Sequence, residues 1–176
     1  MMIDSNIILI GFMGVGKGSL ARELSRRTGY YAVDSDDLIE SLENRKIKKI
    51  FKEKGEPYFR ALEQRTAHWL EAYVRNAIIS TGGGFFAVEN LNRIGRVVFL
   101  DADFEAICAR ILGHPKAAKK IKKRPLLQDM AKAQALFELR RPLYTAKADI
   151  IVQTEGRDVE DMAREICQEL DIPLVN

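Results

Sequence analysis

Apolar and polar positions divide the chain into alternating strand-like and helix-like segments. Ile7-Ile8-Leu9-Ile10 is a continuous apolar run that stops at Gly11, the pattern of a strand buried on both faces. From Lys17 to Thr28 the period changes. Leu20, Ala21 and Leu24 share one helical face, with Arg22, Glu23, Arg26 and Arg27 mostly outside it. Tyr30 to Val33 reads as a second strand, ended by Asp34-Ser35-Asp36-Asp37. Helices are predicted at about Asp36 to Leu42 and Ile47 to Lys54, and Pro57 suits the first turn of a longer helix reaching about Arg75. Ala77 to Ser80 is a third strand, closed by Gly82-Gly83-Gly84, and Arg96 to Leu100 is a fourth. Phe104 to Leu112 is predicted helical. Gly113 to Arg124 is polar, basic and interrupted by Pro115, so it reads as a loop or mobile flap. Lys132 to Tyr144 is a further helix, bent or ended near Pro142; Ile150 to Val152 is a fifth strand and Val159 to Leu170 a closing helix.

Strands alternating with helices imply an α/β fold with a parallel sheet covered on both faces. Ligands in such folds sit outside the carboxyl ends of the strands. Gly11, Asp34 and Gly82 all fall at those ends, so three polar motifs distant in sequence are expected to converge.

The length, 176 residues, suits one domain spanning 1–176. A net charge of +3 offers no bulk electrostatic attraction to nucleic acid or to a membrane. Cys108 and Cys167 have no metal-spacing partners and read as thiols in a reducing compartment. The first residues lack a basic region and a cleavage site, and Ile7–Ile10 is too short to span a bilayer, so a cytoplasmic location is expected. A monomer is expected.

Gly11-Phe12-Met13-Gly14-Val15-Gly16-Lys17 follows a strand and opens a helix, the context a phosphate-binding loop requires. Its glycines let consecutive N–H groups turn inward on phosphate oxygens, the helix N-terminus adds favourable potential, and Lys17 reaches the outer phosphates. The next residue should carry a hydroxyl for Mg²⁺. Here it is Gly18, and Ser19 lies one helical position too far on.

On the acceptor side, Asp34 and Asp36 are two apart on extended chain and are expected to project the same way. One could hold metal-bound water and the other accept a hydroxyl proton. Helix capping is the alternative, with Asp37 the better candidate for a capping or solvated role. Arg60 and Glu63 share a helical face, either as site residues or as a surface ion pair. The triple glycine suggests close backbone approach to a ligand, or else a flexible turn. Lys116, Lys119, Lys120, Lys122, Lys123 and Arg124 form a basic run without interleaved aromatics. It reads as a solvated flap, with Arg124, beside Pro125-Leu126-Leu127, as its site residue. Arg140 and Arg141 are candidates for anion contact. His68 and Trp69 read as structural, with Trp69 in the core.

Together these motifs resemble the shikimate kinase family over nearly the full length: the glycine-rich loop at 11–17, Asp34-Ser35-Asp36, Phe59-Arg60 with Glu63, Gly82-Gly83-Gly84, Arg124-Pro125-Leu126-Leu127, and Arg140-Arg141-Pro142-Leu143-Tyr144. The resemblance implies an adenylate-kinase-like P-loop fold with a five-stranded parallel sheet and a lid at about 113–125. It implies transfer of the ATP γ-phosphoryl group to the 3-hydroxyl of shikimate, in the route to chorismate and the aromatic amino acids, with ATP and shikimate as partners and Mg²⁺ as cofactor. It implies ATP contacts from Gly14, Val15, Gly16, Lys17, Gly18, Ser19, Arg110 and Arg124, with Arg110 against adenine. Asp36, Arg60, Gly82, Gly83, Gly84 and Arg140 would bind the acid, and Asp34 would hold the metal through water. Lys17, Asp36 and Arg124 would carry the catalysis, with Asp36 as the base. Gly18 departs from the family's Ser or Thr. Another P-loop small-molecule kinase, such as a gluconate kinase, or a nucleotide-binding module without turnover, are the competing readings.

Overall fold

The structure, a computed structural model, describes residues 5–118 and 128–175. In chain order these form β1 (Asn6–Ile10), α1 (Lys17–Thr28), β2 (Tyr31–Asp34), α2 (Ser35–Glu43), α3 (Ile47–Tyr73) and β3 (Ala77–Ser80). A 3-10 turn (Phe85–Ala87), α4 (Leu91–Ile94), β4 (Gly95–Asp101), α5 (Phe104–Leu112), α6 (Met130–Lys147), β5 (Ile150–Gln153) and α7 (Val159–Glu169) follow. All five strands pair in parallel in the order β2-β3-β1-β4-β5. Segment 119–127, with most of the predicted lid and Arg124, lies outside the described residues.

The predicted α/β pattern is therefore observed. Every residue of β1 is buried, and because successive side chains point to opposite faces, both faces of the sheet are covered there. α1 and α7 pack on each other, α3 packs on α4, and α6 lies on β4. A second, smaller core of Ile39, Ile50, Phe59 and Leu62 joins α2 to α3.

The two helical segments predicted from Ile47 onward are a single element broken at Gly55, whose φ of 82° takes it out of the helix. That backbone geometry favours glycine, and Pro57 then occupies the first turn of the second piece. α6 runs through Pro142 instead of ending there. Two expectations are corrected. Trp69, expected in the core, is 45% exposed. Glu23, expected outside, is buried on α1, where it pairs with Arg26 and Arg27 at 2.6 Å each. A carboxylate so paired can be buried at modest cost, which apolar periodicity cannot register. Among the described residues no helix is long and apolar enough to cross a membrane.

At the other end of the sheet one polar side chain ties the central strand to its neighbours. Buried Asn6 donates to the carbonyls of Val74 (2.8 Å) and Ile94 (2.9 Å), and its own carbonyl accepts from the Ala77 N–H (3.0 Å). It thus joins the turns that lead into β3 and β4. Asn6→Ala leaves these buried groups without partners, at about 1–3 kcal/mol for each. Urea denaturation should show a loss of at least that size; an unchanged midpoint would mean that water replaces the amide.

Candidate active site

The loop after β1 is shaped by positions that exclude side chains. Gly11, Gly14 and Gly16 have φ of 144°, 85° and 113°. A Cβ would lie 2.7 Å from the Leu100 carbonyl oxygen at Gly11, and 2.5 Å from Ile111 Cδ1 at Gly14. The loop delivers the chain to Gly16, which precedes α1 with no side-chain cap. The first N–H groups of α1 are thus left for a ligand, and an anion suits them. Lys17 is buried and its Nζ donates to the carbonyls of Gly11 (2.6 Å) and Phe12 (3.0 Å).

Two cavities open at the carboxyl ends of the strands. One, of about 330 Å³, is lined by Gly16, Lys17, Gly18, Ser19, Asp34 and Arg110, among others. The second, of about 760 Å³, is lined by Phe51, Phe59, Arg60, Glu63, Leu136 and Arg140, among others. Met13, Asp36, Gly82 and Gly83 belong to both. Asp36 therefore stands where a molecule in one cavity would meet a molecule in the other. The motifs that follow β1, β2 and β3 converge as the sequence predicts, and Arg60 of α3 and Arg140 of α6 join them. Val15 is buried and lines a third cavity, of about 570 Å³, on the far side of Arg110.

The local geometry of the two aspartates differs from expectation. Asp34 ends β2, but α2 begins at Ser35, so Asp36 lies in the first helical turn and not on extended chain. The capping residue is Asp34: its Oδ1 accepts from the N–H groups of Asp36 (2.9 Å) and Asp37 (3.3 Å). Asp37 is solvated. Capping leaves Asp34 at the wall of the first cavity. Asp36 Oδ1 is buried with no hydrogen-bond partner among the described residues. Burial, with Asp34 and Glu63 nearby, pushes the Asp36 carboxyl up to about 7, against the opposing pull of Lys17.

The triple glycine makes room for side chains. None of the three has a positive φ. A Cβ on Gly82 would stand 2.6 Å from Asp36 Oδ1, and one on Gly84 would stand 2.1 Å from Arg60 Nη1. The Gly83 carbonyl accepts from Tyr144 Oη (2.6 Å) and Arg140 (3.2 Å). Arg60 is held by Glu63 (2.6 Å) and Glu56 (2.7 Å). It is no plain surface pair, because the Glu63 side chain is only 2% exposed. Burial raises the Glu63 carboxyl, opposed by Arg60 and Arg140, and Glu63 Oε1 has no partner among the described residues. Of the arginine pair, Arg140 faces the cavity, while Arg141 is bound to Asp101 (2.9 Å) and Asp103 (3.0 Å) and serves the scaffold.

Several contributors escaped the sequence analysis. Ser35 is fully buried and its Oγ accepts from the Gly82 N–H (3.1 Å), joining α2 to the triple glycine. Tyr144, also fully buried, is pushed by burial up to about 12. Ser80, Thr81 and Arg22 line the first cavity. Hydroxyl and arginine residues are too common in strands and helices for any pattern to single these out. Among the described residues no group of three or more His, Cys, Asp or Glu could hold a metal of its own. The oxygens of Asp34, Ser19, Ser80 and Thr81 along the first cavity suit a hard cation that arrives with a phosphate ligand and keeps its water.

A parallel sheet with its first strand at the centre, a glycine-rich loop wrapped on a lysine, and an acceptor cavity joined at a carboxylate define the P-loop kinase class. Comparison with known proteins narrows this. The family model for shikimate kinase matches residues 13–171. Shikimate kinases from Helicobacter hepaticus and Persephonella marina are 36% and 40% identical, over 94% and 92% of this chain and 96% of each relative. The solved structure of shikimate kinase from Acinetobacter baumannii in complex with shikimate has a TM-score of 0.84 and 31% identity, covering 96% of this chain and 93% of that one. The chain belongs to the shikimate kinase family.

The raised Asp36 carboxyl has a consequence for stability. Folding raises its affinity for a proton, so its contribution to stability is fully present below the ordinary aspartate value. It is lost as pH rises through about 7. Asp36→Asn should stabilise the free protein above that pH by up to about 4 kcal/mol and have little effect near pH 4. Parallel urea unfolding profiles for the two proteins across this range would show that Asp36 titrates normally.

Proposed function

We propose that the chain transfers the γ-phosphoryl group of ATP to the 3-hydroxyl of shikimate, giving shikimate 3-phosphate and ADP, in the route to chorismate. The observation that carries this is the junction of the two cavities at Asp36. ATP phosphates lie on the loop from Gly14 to Ser19, and Arg110, at the rim shared with the third cavity, lies against adenine. Arg60 and Arg140 hold the shikimate carboxylate, Gly82, Gly83 and Gly84 form the wall behind it, and Asp36 receives the hydroxyl proton.

Phosphoryl transfer needs mainly positioning and charge neutralisation. Lys17 lies on the carbonyls of its own loop and exchanges these for phosphate oxygens. Asp36, poised near neutrality, can hold the acceptor hydroxyl in either protonation state, and in its ionised form takes the hydroxyl proton as transfer proceeds. Arg124, outside the described residues, would supply positive charge to the transferring group. Mg²⁺, when bound with the nucleotide, neutralises charge on the outer phosphates; Asp34 is the residue to hold its water shell, since Gly18 offers no oxygen.

Coupled ADP release with shikimate, and with gluconate as control, tests the function. Turnover with shikimate alone is expected, and equal rates with both acids would overturn the proposal. Arg60→Ala and Arg140→Ala should each weaken shikimate binding about ten- to a hundredfold, the loss of one charge-assisted hydrogen bond, with ATP binding intact. Arg60→Ala should also lower stability, because it strands the buried Glu63. Calorimetry showing unchanged shikimate affinity in both variants would remove the clamp.

Gly18 supplies a separate test. Among the described residues beyond its own helix backbone and the adjoining residues, a Cβ there meets Arg22 Nη1 alone, at 3.8 Å, an ordinary contact that leaves room for a serine. Gly18→Ser should lower the Mg²⁺ concentration needed for half-maximal rate. Gly18→Ala should add up to about 1 kcal/mol of stability through helix propensity and leave metal dependence unchanged. Superimposable Mg²⁺ titrations of wild type and Gly18→Ser would mean that another oxygen already serves the ion.

A further inference from the structure

We propose that Arg22 is a phosphate-binding residue of the nucleotide cavity, supplying beside Gly18 positive charge that P-loops ordinarily draw from a hydroxyl-held cation. The inference rests on the ATP reading above. Arg22 lies one helical turn beyond Gly18, and long helical side chains lean back toward the N-terminus. Its Nη1 is 3.8 Å from where a Cβ of residue 18 would stand, and among the described residues beyond the helix's own backbone and the adjoining residues no other atom lies within 4 Å of that point. The missing side chain therefore leaves a space bordered by guanidinium and open to the cavity that both residues line.

Arg22 also differs from its neighbours on α1. Arg26 and Arg27 are both tied to Glu23. Among the described residues Arg22 makes no ion pair, and its side-chain hydrogen bond is a long one to Ser19 Oγ, at 3.5 Å. Its position beside the first turn of α1 is where the helix dipole disfavours a cation. Lys17 and Arg110 line the same cavity, adding like charge. The carboxylates on that wall do not compensate it fully. Asp34 Oδ1 is committed to two backbone N–H groups, and Asp36 is on the far side, shared with the acceptor cavity. A chain of phosphates satisfies all three cations and the open helix end together.

Calorimetry without divalent metal isolates this contact, with ADP and AMP as ligands in the presence of a chelator. Arg22→Gln should weaken ADP binding about ten- to a hundredfold, and AMP binding by less than about threefold, because the contact is to the outer phosphate. Arg22→Lys should recover part of the ADP affinity. The melting midpoint of the ligand-free protein should not fall, since Arg22 is exposed and unpaired with any described carboxylate, and removing its charge relieves the helix end. ADP affinity in Arg22→Gln within about twofold of wild type would overturn this inference alone, as would equal losses for ADP and AMP. Failure of the wild type to bind ADP with or without Mg²⁺ would instead overturn the nucleotide assignment, and this inference with it.

Discussion

Strand β1 lies between β3 and β4 with all five residues buried, so its backbone is paired on both sides and its side chains are packed on both faces. A strand held this way cannot shift register without breaking its pairing to both neighbours and repacking both buried faces. The loop that leaves it at Gly11 therefore starts from a fixed point, and Gly11, Gly14 and Gly16 turn it tightly enough to open α1 toward the cavity. Asn6 anchors the opposite end of the same strand through three hydrogen bonds, two of them buried. The rigidity of the phosphate loop is thus a property of the sheet centre as much as of its own glycines.

The acceptor cavity is built on a different device, the absence of Cβ atoms. Asp36 and Arg60 come from separate elements and press on the triple glycine at Gly82 and Gly84. The intervening carbonyl of Gly83 is claimed by Tyr144 and Arg140. Side chains from α2, α3 and α6 are thereby aligned on one stretch of backbone. The burial of Glu63 and Asp36 has a cost that is only partly offset: each has one carboxylate oxygen without a partner among the described residues. Such unmet polar atoms at the wall of a cavity are natural contacts for a polar, hydroxylated ligand.

The same opposition of charges separates the two halves of the site. Lys17, Arg22 and Arg110 line the first cavity, and Arg60 and Arg140 the second, with Asp36 between them. Two anions brought to the opposite cavities each meet cations first, so their mutual repulsion is screened at the point where they must approach. Gly18 alters this balance locally, because it removes an oxygen from the first cavity and leaves a guanidinium over the gap.

The sequence by itself determined the fold class, the five strands within a residue or two, and the identity of the phosphate loop. These rest on local information: apolar periodicity, glycines at a strand end, a lysine at a helix start. It also offered Asp36, Arg60, the triple glycine and Arg140 as site candidates; their chemistry alone left alternatives open, and it was the resemblance to the family that assigned them. Only the tertiary structure shows which of two adjacent residues faces the cavity and which is tied into the scaffold. Arg140 faces the cavity and Arg141 is bound to Asp101 and Asp103; Asp34 caps α2 and Asp37 is solvated. Adjacent residues on a helix point about 100° apart, and the side facing the cavity depends on how the helix packs, which no local pattern contains. The roles of Asn6, Ser35 and Tyr144 were hidden for the same reason. Their partners lie 47 or more positions away in sequence and are brought near only by the parallel sheet and the helices that cover it.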